Sequence, residues 1–316
     1  MSDSEGAKRW PNGPTRFEQR FGNNLTRIVV AVIGIPLVLG LIYLGGWWFV
    51  GFITAIGMGA LLEFYWMIEA KGIKPAKTIG LLSGLLFFLG SGALIVGEIV
   101  MSKEHFLFIW VLLVALTLMM LISSLAHDKN DALESLLGTL GGFYYVPLLL
   151  STLIFLNAFV PMLSRVIGGD SVVVPDHTQF YFFMILLAGI WICDSGAYFG
   201  GRAFGKHKLF ERVSPKKTWE GAITGALSAI IALAFLLPWG VPGLTLVDGI
   251  VVGLIVGVFG QIGDLVESHI KRACGIKDSS QLIPGHGGIL DRFDSLLFVA
   301  PITFVYFIFR LFLTSP

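Results

Sequence analysis

The stretch SHIKRACGIKDSSQLIPGHGGILDRFDS, residues 268–295, lies between two apolar runs, IVVGLIVGVFGQI (250–262) and LLFVAPITFVYFIF (296–309). It holds seven formal charges, two histidines and a Gly-His-Gly-Gly knot. The flanking runs set the fold class. Extended by their neighbours, they reach the length of about 20 residues that a helix needs to cross about 30 Å of hydrocarbon. A β-barrel would instead show ten-residue segments of alternating hydrophobicity, which this chain lacks. The polar stretch is therefore a loop joining two membrane helices.

Working outward, the same pattern recurs. The chain of 316 residues is 55% hydrophobic and only 14% charged, with a mean hydropathy of +0.81. Soluble domains carry about 25% charged residues, so the composition predicts an all-α, polytopic helical membrane protein. Nine apolar segments are expected near 28–46, 47–67, 77–99, 105–126, 137–160, 178–200, 218–239, 245–266 and 289–312. Gly45-Gly46 and the Gly240-Val241-Pro242-Gly243 turn mark tight connections. With the N-terminus in the cytoplasm and the C-terminus outside, every Lys and Arg except Lys103, Arg165 and Arg310 falls on the inner side. That is nineteen of 22, the asymmetry of the positive-inside rule. The chain then divides into a cytoplasmic tail (1–27), a five-span bundle (28–160) and a four-span region (178–316) with inner loops at 201–217 and 267–288. The tail has no short apolar segment with a small-residue cleavage site, so an uncleaved tail is expected. A net charge of +1 suggests no nucleic-acid partner, and Cys193 and Cys274 form no disulfide framework.

The chemistry-bearing residues gather in the inner loops. In GQIGDLVESHIKR (260–272), Asp264 and Glu267 are three apart, Asp264 and Ser268 four apart, and Glu267 and Lys271 four apart, which places them on one helical face. The next span opens with Asp291 and Asp294, again three apart. Ionisable groups at membrane depth are costly and mark function, and hard carboxylate oxygens suit magnesium, which leaves its other positions to water and phosphates. Pro284-Gly285-His286-Gly287-Gly288 precedes a helix start, where glycines and a helix N-terminus favour an anion. A structural hydrogen bond holding the turn is the other reading for His286. In the preceding inner loop, Ser214-Pro215 reads as a helix N-cap followed by proline, putting Lys216 and Lys217 in the first turn. Cations there are sensible if they meet an anion. Thr218 and Glu220 add a hydroxyl and an acid. The sixth span ends WICDSGAYFGGR (191–202), burying Asp194, and the second holds Glu63, read as structural.

The polar stretch resembles the signature of the phosphatidate cytidylyltransferases, also called CDP-diacylglycerol synthases. Ser268, Ile270, Lys271, Arg272, Lys277, Asp278, Ser280, Ile283, Pro284, His286, Gly287, Gly288, Ile289, Asp291, Arg292, Phe293 and Asp294 fill its fixed places. The Ser-Pro-Lys-Lys-Thr-Trp-Glu and Cys-Asp-Ser-Gly-Ala-Tyr segments are similar to that family too. The resemblance implies transfer of a cytidylyl group from CTP to phosphatidic acid, giving CDP-diacylglycerol and pyrophosphate, with Mg2+ as cofactor and room for a second cation. It implies Asp264 and Asp291 as principal metal ligands supported by Asp294 and Glu267. Lys216, Lys217, Lys271, Arg272 and Arg292 would hold phosphates, and His286, Gly287 and Gly288 would shape a pyrophosphate cradle. Ser214, Thr218, Lys277 and Asp194 complete the expected substrate contacts. A homodimer is a family-level expectation. The expected setting is a bacterial inner membrane, with membrane lipid around the spans and the site facing the cytoplasm. A CTP-dependent polyprenol or phytol kinase and a cation-coupled transporter are the competing classes. A transporter would place its acids near the midplane, often within inverted repeats.

Overall fold

The computed structural model describes residues 23–97, 103–126, 128–169 and 172–314. Expectations for the first 22 residues of the tail lie outside the described residues. Among the described residues, nine helices of membrane length follow one another. They are α1 (Asn23–Leu44), α2 (Gly46–Ala70), α3 (Lys77–Gly97), α4 (Lys103–Ser123, plus one 3-10 turn) and α5 (Ala132–Gly168). Then come α6 (Thr178–Phe204), α7 (Trp219–Gly240), α8 (Leu246–Ala273) and α9 (Leu290–Thr314). All nine expected spans are present. Gly45 and Gly46 turn between α1 and α2 at φ 61° and 50°, where only glycine is unstrained.

Several helices extend further than hydropathy suggested. Helix α6 continues to Phe204 and α8 to Ala273, so the inner loops begin later than residues 201 and 267. The charged residues that looked like loop are the last turns of helices that run on past their apolar stretch.

Two helices change pitch. Tyr144–Leu148 in α5 and Val256–Gly260 in α8 are π-helical turns. Pro147 has no N–H to give to the ladder, which explains the first. In the second, Gln261 Nε2 donates to the Gly257 carbonyl at 2.6 Å and to Ala222 of α7 at 3.0 Å. That bond fastens the bulge to its neighbour immediately before Asp264.

Around α7 the packing relies on small residues. A Cβ at Gly249, Gly253 or Gly257 would lie 2.4–2.7 Å from α7 backbone atoms. This four-residue repeat brings the backbones of α7 and α8 into contact, the small-xxx-small packing of membrane helices. At the other end of α8, fully buried Asp248 accepts from Tyr306 Oη at 2.6 Å and Arg310 Nε at 3.0 Å. Arg310, one of the three basic residues assigned to the outer side, is thereby paired.

The lipid-facing side of α7 is equally regular. Trp219, Ile223, Leu227, Ile231, Phe235 and Trp239 are all exposed. Twenty residues separate the two tryptophans, about 30 Å at 1.5 Å per residue. Tryptophans that far apart match the two aromatic belts of a bilayer.

Candidate active site

The connection between α6 and α7 corrects one expectation. Ser214–Thr218 is a strand, β2, paired antiparallel with β1 (Lys208–Phe210), with Lys208 opposite Thr218 and Phe210 opposite Ser214. The helix cap is Thr218, whose side chain accepts from Gly221 N, so α7 starts at Trp219 and not at Pro215. Lys216 and Lys217 therefore do not occupy a first helical turn. Strand alternation separates them: Lys217 turns inward and Lys216 is exposed. Glu220 fastens the hairpin, accepting from the backbone N–H of Lys206 (3.1 Å) and of His207 and lying 2.6 Å from His207 Nδ1.

Lys217 Nζ donates to Asp264 Oδ2 at 2.6 Å, and Ser268 Oγ donates to Asp264 Oδ1 at 3.2 Å. Asp294 of α9 and Asp194 of α6 lie within electrostatic reach of the same lysine and aspartate. A cation from β2 thus faces carboxylates from α6, α8 and α9. Asp194 is exposed on the flank of α6 rather than buried.

A second cluster sits closer to the loop. Lys271 Nζ lies 2.7 Å from Glu267 Oε2 and 2.5 Å from Asp291 Oδ1. Glu267 is 1% exposed, and no hydroxyl or amide donates to its carboxylate among the described residues. The Lys271 ammonium pairs with it from one turn further along the helix, so the four-residue spacing read from sequence is realised as an ion pair. Asp291 Oδ2 gathers the loop, accepting from Ser279 Oγ (3.0 Å), Ser279 N (3.3 Å) and Gly288 N (3.1 Å).

Glu63 decides the shape of that loop. Fully buried in α2, its Oε1 accepts from Ser280 Oγ (2.5 Å) and Ile289 N (2.8 Å), and its Oε2 from Ser279 Oγ (3.0 Å) and Leu290 N (2.8 Å). One carboxylate from the N-terminal bundle thereby caps α9 and seats the polar loop. The structural reading of Glu63 holds, and the structure it maintains is the site. Ser279 and Ser280, not among the expected site residues, are fully buried by the same contacts.

The glycine knot is closed rather than open. His286 N and Gly287 N donate to Ile283 O, Gly288 N to Asp291, and Ile289 N and Leu290 N to Glu63. The amides of residues 286–290 all have partners inside the protein. Gly287 adopts φ 85°. A Cβ at Gly288 would lie 1.7 Å from Ser279 Oγ and 2.7 Å from Glu63 Oε2. The His286 ring lies 3.4 Å from Pro284 O, while its carbonyl accepts from Arg292 Nε (2.9 Å) and Nη2 (2.5 Å).

Other expected contacts stay apart from these clusters. Arg272 Nη1 donates to Ile276 O at 3.0 Å, closing the turn after α8. Lys216 and Lys277 are exposed and Ser214 is half-buried. Burial pushes the Cys274 thiol up, so it offers no thiolate ligand at neutral pH. Cys193 is a buried core residue.

Among the described residues, nine membrane-length helices with lysine–carboxylate clusters gathered at one end of the bundle define a polytopic helical membrane protein. Comparison with known proteins gives its family. The chain belongs to the cytidylyltransferase family, whose model matches residues 25–310. It is 36% identical over 312 residues to a phosphatidate cytidylyltransferase of Synechocystis sp., covering 90% of this chain and 97% of that one. A Bacillus subtilis protein of the same name is 33% identical over 287 residues, again covering 90% and 97%. With one from Haemophilus influenzae the identity is 46% over 140 residues, covering 43% of this chain and 48% of that one.

Proposed function

We infer that this chain transfers a cytidylyl group from CTP to phosphatidic acid, forming CDP-diacylglycerol and releasing pyrophosphate. The observation that carries the reading is the approach of Lys217 and Asp264, 47 residues apart, at the end of the bundle where Lys271 meets Glu267 and Asp291. The Trp219 end of α7 supports placing this charge at the boundary between lipid and water, where a lipid phosphate and a soluble nucleotide can both reach it. The basic residues of the same loops favour the cytoplasmic side of a bacterial inner membrane, with the N-terminus inside and the C-terminus outside. A homodimer is carried over from the family resemblance alone, and its mass in detergent tests it.

A phosphate monoester titrates near pH 6, so phosphatidate already presents an anionic oxygen at neutral pH and needs no strong base. That oxygen attacks the α-phosphorus of CTP. The bond from the α-phosphorus to the bridging oxygen breaks, and pyrophosphate leaves. The barrier is repulsion between anions, so the protein's contribution is positioning and charge neutralisation. Lys217 and Lys271 supply positive charge from two elements, and Arg292 and the exposed Lys216 and Lys277 add to the field that draws in the nucleotide.

The donor set suits magnesium of the kind held largely by substrate. Asp264 is 37% exposed at its side chain, and Asp294 lies within its electrostatic reach. Among the described residues no three His, Cys, Asp or Glu side chains converge into a ready cage. Magnesium commonly takes one or two carboxylates plus phosphates and water. Asp264 and Asp294 would hold it once the Lys217 ammonium turned from Asp264 to a phosphate, and Asp291 and Glu267 would join only if Lys271 moved aside. When bound, the ion would neutralise charge on the nucleotide phosphates.

The deciding experiment incubates purified protein with labelled CTP, phosphatidate and magnesium and identifies the products. CDP-diacylglycerol and pyrophosphate are expected, with loss of both in Lys217→Met and Asp264→Asn at unchanged thermal stability. Formation of CDP and a phosphorylated lipid would replace this reading with a lipid kinase.

A further inference from the structure

We propose that Arg27, in the first helix and outside every motif recognised in the sequence, binds a substrate phosphate together with Arg292. The inference rests on the reading above and names a residue and a cavity that it does not include. Arg27 Nε donates to the Gly285 carbonyl at 2.7 Å across 258 residues of sequence. Arg292 Nε and Nη2 hold the neighbouring His286 carbonyl. The two guanidinium groups thus grip successive carbonyls of the glycine knot. Both line one cavity of about 310 Å³, together with Gly285, His286, Gly287 and Asp278.

The physical argument is one of donors. A glycine-rich loop before a helix ordinarily binds anions through its backbone N–H groups. Here those groups are occupied: residues 286–290 direct their amides to Ile283 O, Asp291 and Glu63. Anion binding at this knot therefore falls to side chains. A guanidinium carries five N–H donors. Arg27 engages one of them in the loop and has four on its Nη atoms, while Arg292 retains Nη1. The loop carbonyls orient both forks, and an oriented fork loses less freedom on meeting a phosphate. Asp278 is exposed at the rim, so its charge is hydrated, and the two arginines leave the cavity net positive. The ligand is a phosphate group, supplied by CTP and pyrophosphate or by the headgroup of phosphatidate.

The test uses full-length protein in mixed micelles and the variants Arg27→Ala, Arg27→Gln and Arg27→Lys. Glutamine can still donate to Gly285 O but carries no charge, so it separates a loop strap from a phosphate contact. The readouts are KM for CTP, KM for phosphatidate, inhibition by inorganic pyrophosphate, and pyrophosphate binding measured by calorimetry without turnover. A rise of about tenfold in KM for CTP and in the pyrophosphate constants for Ala and Gln, with Lys between them and wild type, supports the site with the nucleotide as its source. A rise confined to KM for phosphatidate supports it with the lipid as source. Unchanged pyrophosphate binding and unchanged KM values in Arg27→Gln overturn it, even if thermal stability falls. Because calorimetry needs no turnover, failure of wild type to make CDP-diacylglycerol would refute the assigned reaction without deciding the fate of Arg27.

Discussion

At the scale of single residues, the shape of the loop depends on Glu63, which holds it, and on Gly288, which lies within it. Glu63 receives four hydrogen bonds in a fully buried position. Replacing it by Gln keeps the volume but sets an amide N–H2 against two donors. Leaving buried donors without acceptors costs about 1–3 kcal/mol each, so Glu63→Gln should destabilise by about 2–6 kcal/mol. Thermal unfolding in detergent measures this, and an unshifted midpoint would remove Glu63 from the loop's support. Gly288 has a different constraint. The 1.7 Å approach of a Cβ to Ser279 Oγ cannot be absorbed, because that hydroxyl is held between Glu63 and Asp291. Gly288→Ala should cut pyrophosphate release by about a hundredfold or more, on the order of 3 kcal/mol, while Gly51→Ala, at a helical glycine with open space, should keep most of it. Equal activity in the two variants would contradict the crowding argument.

At the scale of elements, the site is a matter of helix register. Asp264 follows a π turn that Gln261 secures to α7, and the α7–α8 seam is closed by Gly249, Gly253 and Gly257. Lys217 enters from a hairpin whose β2 strand runs directly into α7. Any movement of α8 relative to α7 therefore changes the 2.6 Å contact between Lys217 and Asp264. Gly253→Leu wedges the seam and should reduce kcat well below that of Leu254→Ala, a substitution at an exposed neighbour. Steady-state turnover of both variants in the same micelles checks it. The same element logic explains what was not legible locally. Ser-Pro reads as a helix start, yet strand pairing from 208 to 218 overrides the propensity, and Thr218 takes the cap. Pairing with a strand several residues away is not encoded in the four residues that form a cap.

At the scale of the whole molecule, two halves meet at one loop. Helix α2 seats it through Glu63, α1 reaches it through Arg27, and α8 and α9 carry its ends. The five-span bundle is thus part of the site's framework as well as its membrane anchor. A metal that is held mainly by substrate should contribute to turnover and little to folding. Chelation should abolish product formation and magnesium should restore it, with the melting temperature in the absence of CTP unchanged to within about 2 °C, since ligand stabilisation follows occupancy. Parallel activity and unfolding measurements with and without chelator test this. A large fall in melting temperature on chelation would point to a dedicated metal cage.

The sequence by itself determined the nine spans found among the described residues, and the helical pairing of Asp264 with Ser268 and of Glu267 with Lys271. Hydropathy and the 3.6-residue period are local quantities, and these features depend on nothing else. Only the tertiary structure decided that Glu63 caps α9, that Arg27 reaches Gly285, that the knot's amides are already bonded, and that Lys217 rather than Lys216 faces Asp264. Each of these joins residues dozens to hundreds of positions apart. A buried carboxylate announces that it needs partners, but which donors it receives is set by how helices pack, and one chain's residue order does not carry that information.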